Sequence, residues 1–566
     1  MRLFCCIVNG QTIGMRKVMH PLFFVISLLL ASGITMISKG EDTQQEGMKT
    51  GKPKITVSAE TTYFIEPLLK DGSLDCVALL NKISREGIDV DDNAAVMIWR
   101  ALGPETIPVT NQDDFYKLLG IAELRQNGDY YVTFAKYVDK YDKQEKGSRG
   151  ESAADNSNET FYKQFETAQK RPWDAKEFPL LADLLNKNEK PLELLSEAVL
   201  RPKFYSPLVK ASDDFSSCLD TDFKFILRDA AEQLLVRSML RLNEKQYDTA
   251  WQDLLTCYRL GLLVSQGPLL IDILYGTAFQ GMAAKGIWTF SNRVEHDAIQ
   301  LQKYQMDLLK LPLPPNTDKI WQLGERVFQV GYIYDLSKKD KNSLKYLGIS
   351  KDDSTREVLK KLASDPKMDW DEVLRLLNAE SAKYVALIGK DKYSAIRDKM
   401  QKLDADIAEE CRKALEPASL EKVLSPNATP KDKAKLFVAI LANSGMANSA
   451  WMITPPYRGQ TFASLSQLAL AISAYRAENH SYPVALADLA PKYISEIPKD
   501  PFSSSDFKYK LQDNGFLLYS VGLNARDDGG KNYLEENNYN PDEYDKVSEE
   551  EKSADDIAIR VPPKKD

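Results

Sequence analysis

Between Phe462 and Gly530 the chain passes from helical to extended periodicity across a series of prolines, and this limits its fold more than any other feature. Leu465, Leu468, Ile472 and Tyr475 recur at spacings of three and four, so they share one face of a helix that needs a partner surface. Asn479-His480 ends that helix. Pro483 drives Tyr482 toward extended geometry, and Pro491, Pro498 and Pro501 keep any further helix short through 482–502. From Phe507 the pattern becomes Phe-Lys-Tyr-Lys-Leu, then Asp513-Asn514-Gly515, then Phe516 to Val521. This predicts two strands around a turn whose Asn-Gly pair tolerates positive φ, hence a helix packed on a short antiparallel sheet.

A chain of 566 residues exceeds one hydrophobic core, and 43% hydrophobic with 28% charged residues is ordinary for globular domains. The expected class is mainly α and multidomain: an irregular helical body plus a small α+β module at the C-terminal end. Lys and Arg number 74 against 82 Asp and Glu, a net charge of −8, which argues against nucleic acid or an anionic membrane as a general partner. The excess is local, because residues 535–556 carry ten carboxylates and two lysines and are as negative as the whole chain.

Arg16-Lys17 precede an apolar run from Pro21 to Ile37, and Lys39-Gly40-Glu41-Asp42 follow it. That order reads residues 1–40 as a signal peptide or a single N-terminal membrane anchor, and hence the protein as exported, to the periplasm or cell surface. The run is at the low end of the roughly 17 to 25 residues a spanning helix needs. Cleaved and inner-membrane-retained forms both stay open, with Ala31-Ser32-Gly33 as a small-residue exit. Met15 opens a more conventional signal than Met1, so Cys5 and Cys6 are set aside. Cys76, Cys218, Cys257 and Cys411 remain, either bridged in an oxidising compartment or buried as free thiols.

Residues 41–54 read as a polar linker and 55–138 as a mostly helical region. In the latter, helices are expected at Asp75–Ile83 and at Asn93–Leu102, the second entered through Asp91-Asp92 and left at Gly103-Pro104, with a strand near Tyr130–Phe134. The charged run 139–160 has almost no apolar residue and predicts a mobile linker. A helical body follows over 161–450, with Trp173, Phe178, Phe204 and Tyr205 as core or interface aromatics. Phe223, Leu227, Ala230, Leu234 and Leu235 trace an amphipathic stripe, and Leu242 to Trp251 resembles the turn of a single tetratricopeptide-type hairpin. Gly261–Phe290 is apolar almost all round but interrupted by Pro268, Asp272, Gln280 and Lys285, which favours a buried core helix over a membrane span. Pro455-Pro456 opens the last region, 451–566.

Catalytic signals are thin. Beyond the signal the only histidines are His296 and His480, and no His-Glu-x-x-His, Gly-x-Ser-x-Gly, P-loop or Gly-x-Gly-x-x-Gly string occurs. His480 stands at a helix end, where capping is its simplest role. Carboxylates are abundant, but no spacing singles out an acid/base pair, so no catalytic residue is assigned.

Within the last region, Ala474-Tyr-Arg-Ala-Glu-Asn479, Ser481-Tyr-Pro483, Ile497-Pro-Lys-Asp-Pro-Phe502 and Tyr519-Ser-Val-Gly522 are followed by Asp527-Asp-Gly-Gly530. In order and spacing this resembles the globular part of the major pseudopilin of type II secretion. The resemblance spans roughly a fifth of the chain. It implies a long helix on a small antiparallel sheet, and a loop after the sheet that binds calcium through carboxylates and carbonyl oxygens. The implied ligands are Asn524, Asp527, Asp528, Asp555 and Asp556; Asn524 stands where the family has Asp, and Asp556-Ile557 match its closing Asp-Ile across a longer acidic insertion. Calcium takes six to eight hard oxygens at about 2.3 to 2.6 Å, which such a set supplies. The competing reading is a turn at Asp-Asp-Gly-Gly followed by a solvated acidic tail. The family's prepilin peptidase site is absent: Arg458-Gly-Gln-Thr-Phe462 lacks the following Glu.

The expectation is therefore an exported, non-catalytic binding or scaffold protein with a protein partner in the cell envelope. An accessory of a type II secretion or pilus-like machine and a hydrolase in the helical body are the alternatives.

Overall fold

The computed structural model describes residues 55–105, 107, 111–149, 154–218, 222–293, 298–315, 320–338, 354–389, 392–445, 453–533 and 548–562. The signal segment, the linker before 55, His296 and most of the acidic insertion lie outside them. Among the described residues the chain is mainly helical, as its periodicities predict, and the small antiparallel sheet near its end has three strands where the sequence pattern predicts two.

The N-terminal region contains α1 (Cys76–Arg85), α2 (Ala94–Leu102) and α3 (Gln112–Leu119). Asp75 caps α1 by accepting the Ala78 N–H, and Asn93, not the Asp91-Asp92 pair expected from sequence, caps α2 by accepting the Ala95 N–H. Gly103 closes α2 at φ 80°. No strand forms at Tyr130–Phe134. Instead the Asn188 side-chain amide takes the place of a neighbouring strand, accepting the Val132 N–H and donating to the Val132 carbonyl, each at 2.7 Å. The charged run expected to be a linker is helical on both sides of 150–153, in α4 (Phe134–Arg149) and α5 (Ala154–Lys170). Lys, Glu and Gln are good helix formers, and stacked Phe134, Phe161 and Phe165 anchor the apolar ends of the pair.

After α6 (Pro179–Lys187) and α7 (Glu189–Ala198), the body is built on α8 (Asp222–Asn243), α9 (Tyr247–Val264) and α10 (Leu270–Arg293), packed on one another in sequence. The turn between α8 and α9 is the expected hairpin. Most side chains of α9 and α10 are buried, and among the described residues no helix is long and apolar enough to cross a membrane. Next come α11 (Ala298–Leu309) and α12 (Glu325–Ser337), which continues a π-helical turn at Ile320–Gly324. A second cluster is built by α13 (Ser354–Ser364), α14 (Trp370–Val385), α15 (Tyr393–Ala414), α16 (Pro417–Leu424) and α17 (Pro430–Gly445) around Phe437 and Trp370.

The last region opens with α18 (Thr454–Asn479), whose first turn holds Pro455 and Pro456, positions where the missing N–H groups cost nothing. It ends as expected: His480 adopts φ 58° and its backbone N–H, not its imidazole, bonds the Arg476 carbonyl at 2.9 Å. The hairpin is β1 (Lys508–Gln512) and β2 (Gly515–Ser520), with Gln512 opposite Gly515. Neither Asn514 nor Gly515 takes a positive φ; Gly515 is needed because a Cβ there would lie 1.7 Å from the Val561 carbonyl oxygen. That carbonyl belongs to β3 (Ile557–Val561), which pairs with the other side of β2, Phe516 facing Val561. The hydrophobic cluster of the module is continuous with that of the body: α18 lies against α10 and α11 on one side and β2 on another.

Candidate functional site

Asn524, Asp527 and Asp528 of the implied calcium ligands fall in the loop from Val521 to Tyr533, and its shape is set by the buried carboxylates of Asp500 and Asp556 and the half-buried one of Asp555. Asp500, in the Pro-Lys-Asp-Pro-Phe turn, is almost fully buried with both oxygens occupied. Oδ1 accepts the Ser520 hydroxyl at 2.8 Å and the Phe502 N–H at 3.0 Å, and Oδ2 accepts the Val521 N–H at 3.1 Å. It pins the end of β2 to the turn, a role visible in the sequence only as an Asp held between two prolines.

Gly522 then turns the chain at φ 64°; a Cβ would sit 2.2 Å from the Asp555 carbonyl oxygen, so only glycine lets the tail pass so close. Asp555 accepts the Asn524 N–H at 3.1 and 3.2 Å through its two oxygens. Asp556 accepts the Gly530 N–H at 2.7 Å and the Asp528 N–H at 3.1 Å through Oδ2. Asn524 donates from Nδ2 to Asp528 Oδ2 at 2.7 Å and to the Ser553 carbonyl at 2.8 Å. Thus the structure brings Asn524, Asp528, Asp555 and Asp556 into one linked cluster. Asp527 stands apart, its Oδ1 accepting the Tyr519 hydroxyl at 2.8 Å and the Gly529 N–H at 3.0 Å. The tail reading is corrected for 548–562, which fold back as part of the loop and as β3.

Burial pushes the Asp555 carboxyl up to about 7, against the Asn524 N–H that favours its ionised form. Asp556 is likewise raised to about 7, by burial first, with Asp528 and Asp527 adding repulsion. Burial also works to raise Asp527, but the Tyr519 hydroxyl and the Gly529 N–H outweigh it and leave that carboxyl below its usual range. Asp556 Oδ1 is buried without a hydrogen-bond partner.

The body reaches into the same loop. From α15, the Tyr393 hydroxyl donates to the Leu523 carbonyl at 2.9 Å, and Arg397 donates to the Asn524 carbonyl. Arg526 adds a second local cation, donating from Nε to Asp528 Oδ1 at 2.8 Å. These contacts carry no local sequence signal, since Tyr393 and Arg397 lie more than a hundred residues away.

The donor set suits a hard cation in chemistry: it is all oxygen, two carboxyls are raised by burial and mutual repulsion, and one buried oxygen lacks a donor. Its described arrangement is also closed by the chain's own donors, and among the described residues no three His, Cys, Asp or Glu side chains converge as a metal-holding group. Asp556 with Asp555 and Asn524 would hold the ion, which would supply positive charge between the strand end and the returning tail.

Elsewhere, Trp173, Phe178, Phe204 and Tyr205 are buried in the core as expected, and the Trp173 indole donates to the Val236 carbonyl at 3.0 Å. The four body cysteines are free and buried, and burial raises the thiols of Cys76, Cys218 and Cys257. Compared with known proteins, the chain matches no family model, no curated protein and no solved structure.

Proposed function

We propose that this chain is an exported, non-catalytic binding or scaffold protein whose helical body is closed at one end by a pseudopilin-like module. The observation that supports this most is the burial of α18 up to its last turn: Phe462, Leu465, Leu468, Ile472 and Ala474 are all in the core. A helix committed on one side to α10 and α11 and on another to β2 has little surface left for packing into a filament of like subunits. The module then serves as architecture, and its resemblance to a pseudopilin does not bring along the pseudopilin's assembly.

A calcium-stabilised form of this module is part of the proposal, supported by the unpartnered Asp556 Oδ1 beneath the loop. The partner is a protein of the cell envelope. Cell fractionation followed by in-cell crosslinking of the tagged full chain tests the reading. The scaffold function predicts recovery outside the cytosol with an envelope protein other than a pseudopilin. Crosslinking chiefly to pseudopilins would support the accessory function instead, and recovery in the cytosol would overturn export.

A further inference from the structure

A cleft of about 410 Å³ opens between α14, α15, α16 and α17, on the far part of α15 from the C-terminal loop. Ile407 lies ten residues beyond Arg397, about 15 Å along the helix. The size falls in the range of roughly 300 to 1,000 Å³ typical of small-molecule pockets. Its walls are apolar: Leu376 on α14, Ile407 and Ala414 on α15, and Leu436, Ala439 and Ala442 on α17. The fourth side is α16, which has no fully buried residue and is held by the partly buried Leu420, Val423 and Leu424.

Along α17 the lining passes from Asp432 and Lys435 through Leu436 to Ala439 and Ala442, a polar end followed by an apolar one, over about 15 Å of helix. Glu380 on α14 and Glu410 on α15 bring the lining carboxylates to three, and the Thr429 hydroxyl first, with help from Lys435 and Lys422, lowers the carboxyl of Asp432. Two of the three are already engaged, Glu380 with Lys383 at 2.8 Å and Asp432 with the Thr429 hydroxyl at 2.6 Å. Glu410 is exposed and makes no ion pair among the described residues.

We propose that this cleft binds a straight-chain amphiphile with a cationic head, its hydrocarbon between α14, α15 and α17 and its ammonium against Glu410. An anionic head would meet the same apolar walls but also the carboxylate of Glu410, unpaired among the described residues. The site is independent of the C-terminal loop and of calcium.

Calorimetric titration of the full chain with decylammonium, decanoate and decanol, each below its aggregation concentration, tests this. Decylammonium should bind at one site, at least about tenfold tighter than decanoate, the ratio expected for a head-group preference of about 1.4 kcal/mol. Ala439→Trp and Ser419→Trp fill the cleft from two different helices and should each abolish binding while the melting transition stays cooperative. Glu410→Lys should shift the preference toward decanoate. Decylammonium binding that survives both tryptophan variants, or equal binding of all three compounds, overturns the proposal.

Discussion

The indole N–H of Trp288 donates to the Ser466 hydroxyl at 3.1 Å, joining α10 to α18 across 178 residues of sequence. Around it the Tyr258 hydroxyl reaches the Gly459 carbonyl at 3.4 Å and the Gln305 amide reaches the Gln467 carbonyl at 3.2 Å. The last region is thus built into the body as one face of a shared core. The sequence pattern alone predicts only a small α+β module here, a helix packed on a short antiparallel sheet, and carries no sign of this shared core. An isolated fragment of residues 454–566 should show no cooperative unfolding, because the faces of α18 that meet α10 and α11 would be exposed. In the full chain, Leu468→Ala should destabilise by about 2 to 5 kcal/mol, read by denaturant melting. A cooperative transition in the fragment alone would show that the sheet by itself supplies enough burial.

What was legible in the sequence was what neighbouring residues decide. The end of α18 at Asn479 and the α8–α9 turn follow from spacing and turn chemistry within a few residues, and the β1–β2 hairpin from the pattern of its strands, without the positive φ expected at Asn514-Gly515. What was not legible is decided at a distance. Asn188 pairs with Val132 and Arg397 bonds the Asn524 carbonyl, and no local pattern marks either. β3 has the alternation of a strand, Ile-Ala-Ile-Arg-Val, but follows a run of carboxylates whose solvated character dominates any window around it. At the candidate site, composition drew attention to the right carboxylates. Only the fold separates Asp527, turned to Tyr519, from Asp555 and Asp556, which clasp the loop.

Stability should fall as pH rises from about 4 to 7. Asp229 and Glu325 are both raised to about 7 by burial, and they lie far from the loop in sequence. Asp229 accepts the Phe134 N–H at 3.0 Å and the Gln233 amide at 2.8 Å, and Glu325 accepts the Leu270 N–H at 2.7 Å. The folded state holds their protons to higher pH than the unfolded chain, where carboxyls titrate near 4. Their contribution is therefore complete below about pH 4 and lost as pH passes through 7. Melting temperature measured across this range should drop less in Asp229→Asn and Glu325→Gln variants than in the unsubstituted chain. An identical slope in all three would place the protonation elsewhere.

The thiols of Cys76, Cys218, Cys257 and Cys411 should not react with a water-soluble disulfide reagent in the native protein. Each is at most 5% exposed, and where burial raises the pKa it also suppresses the thiolate that reacts. With Cys5 and Cys6 replaced by serine, native protein should give no colour and denatured protein four equivalents, matching the four free thiols. Fewer than four equivalents after denaturation without reductant would reveal a bridge.

Calcium, finally, separates a clasp made only by the chain's own donors from one completed by an ion. Gly530 and Asp528 bind one oxygen of Asp556, while its Oδ1 is buried without a partner, so a cation there would gain a ligand and relieve the repulsion among Asp528, Asp555 and Asp556. If the site exists only in the folded protein, calcium at a hundred times its dissociation constant should add about 2.7 kcal/mol of stability. Melting of the full chain should rise with millimolar calcium and return to its starting value with chelator. Asp556→Asn should remove most of that rise, since it keeps the shape of the side chain while weakening its hold on a cation. Asp513→Ala, in the exposed turn of the β1–β2 hairpin, should leave the rise intact. Melting that is the same in calcium and in chelator would mean that Arg397 and Arg526, already bonded to the Asn524 carbonyl and to Asp528, supply all the positive charge the loop uses.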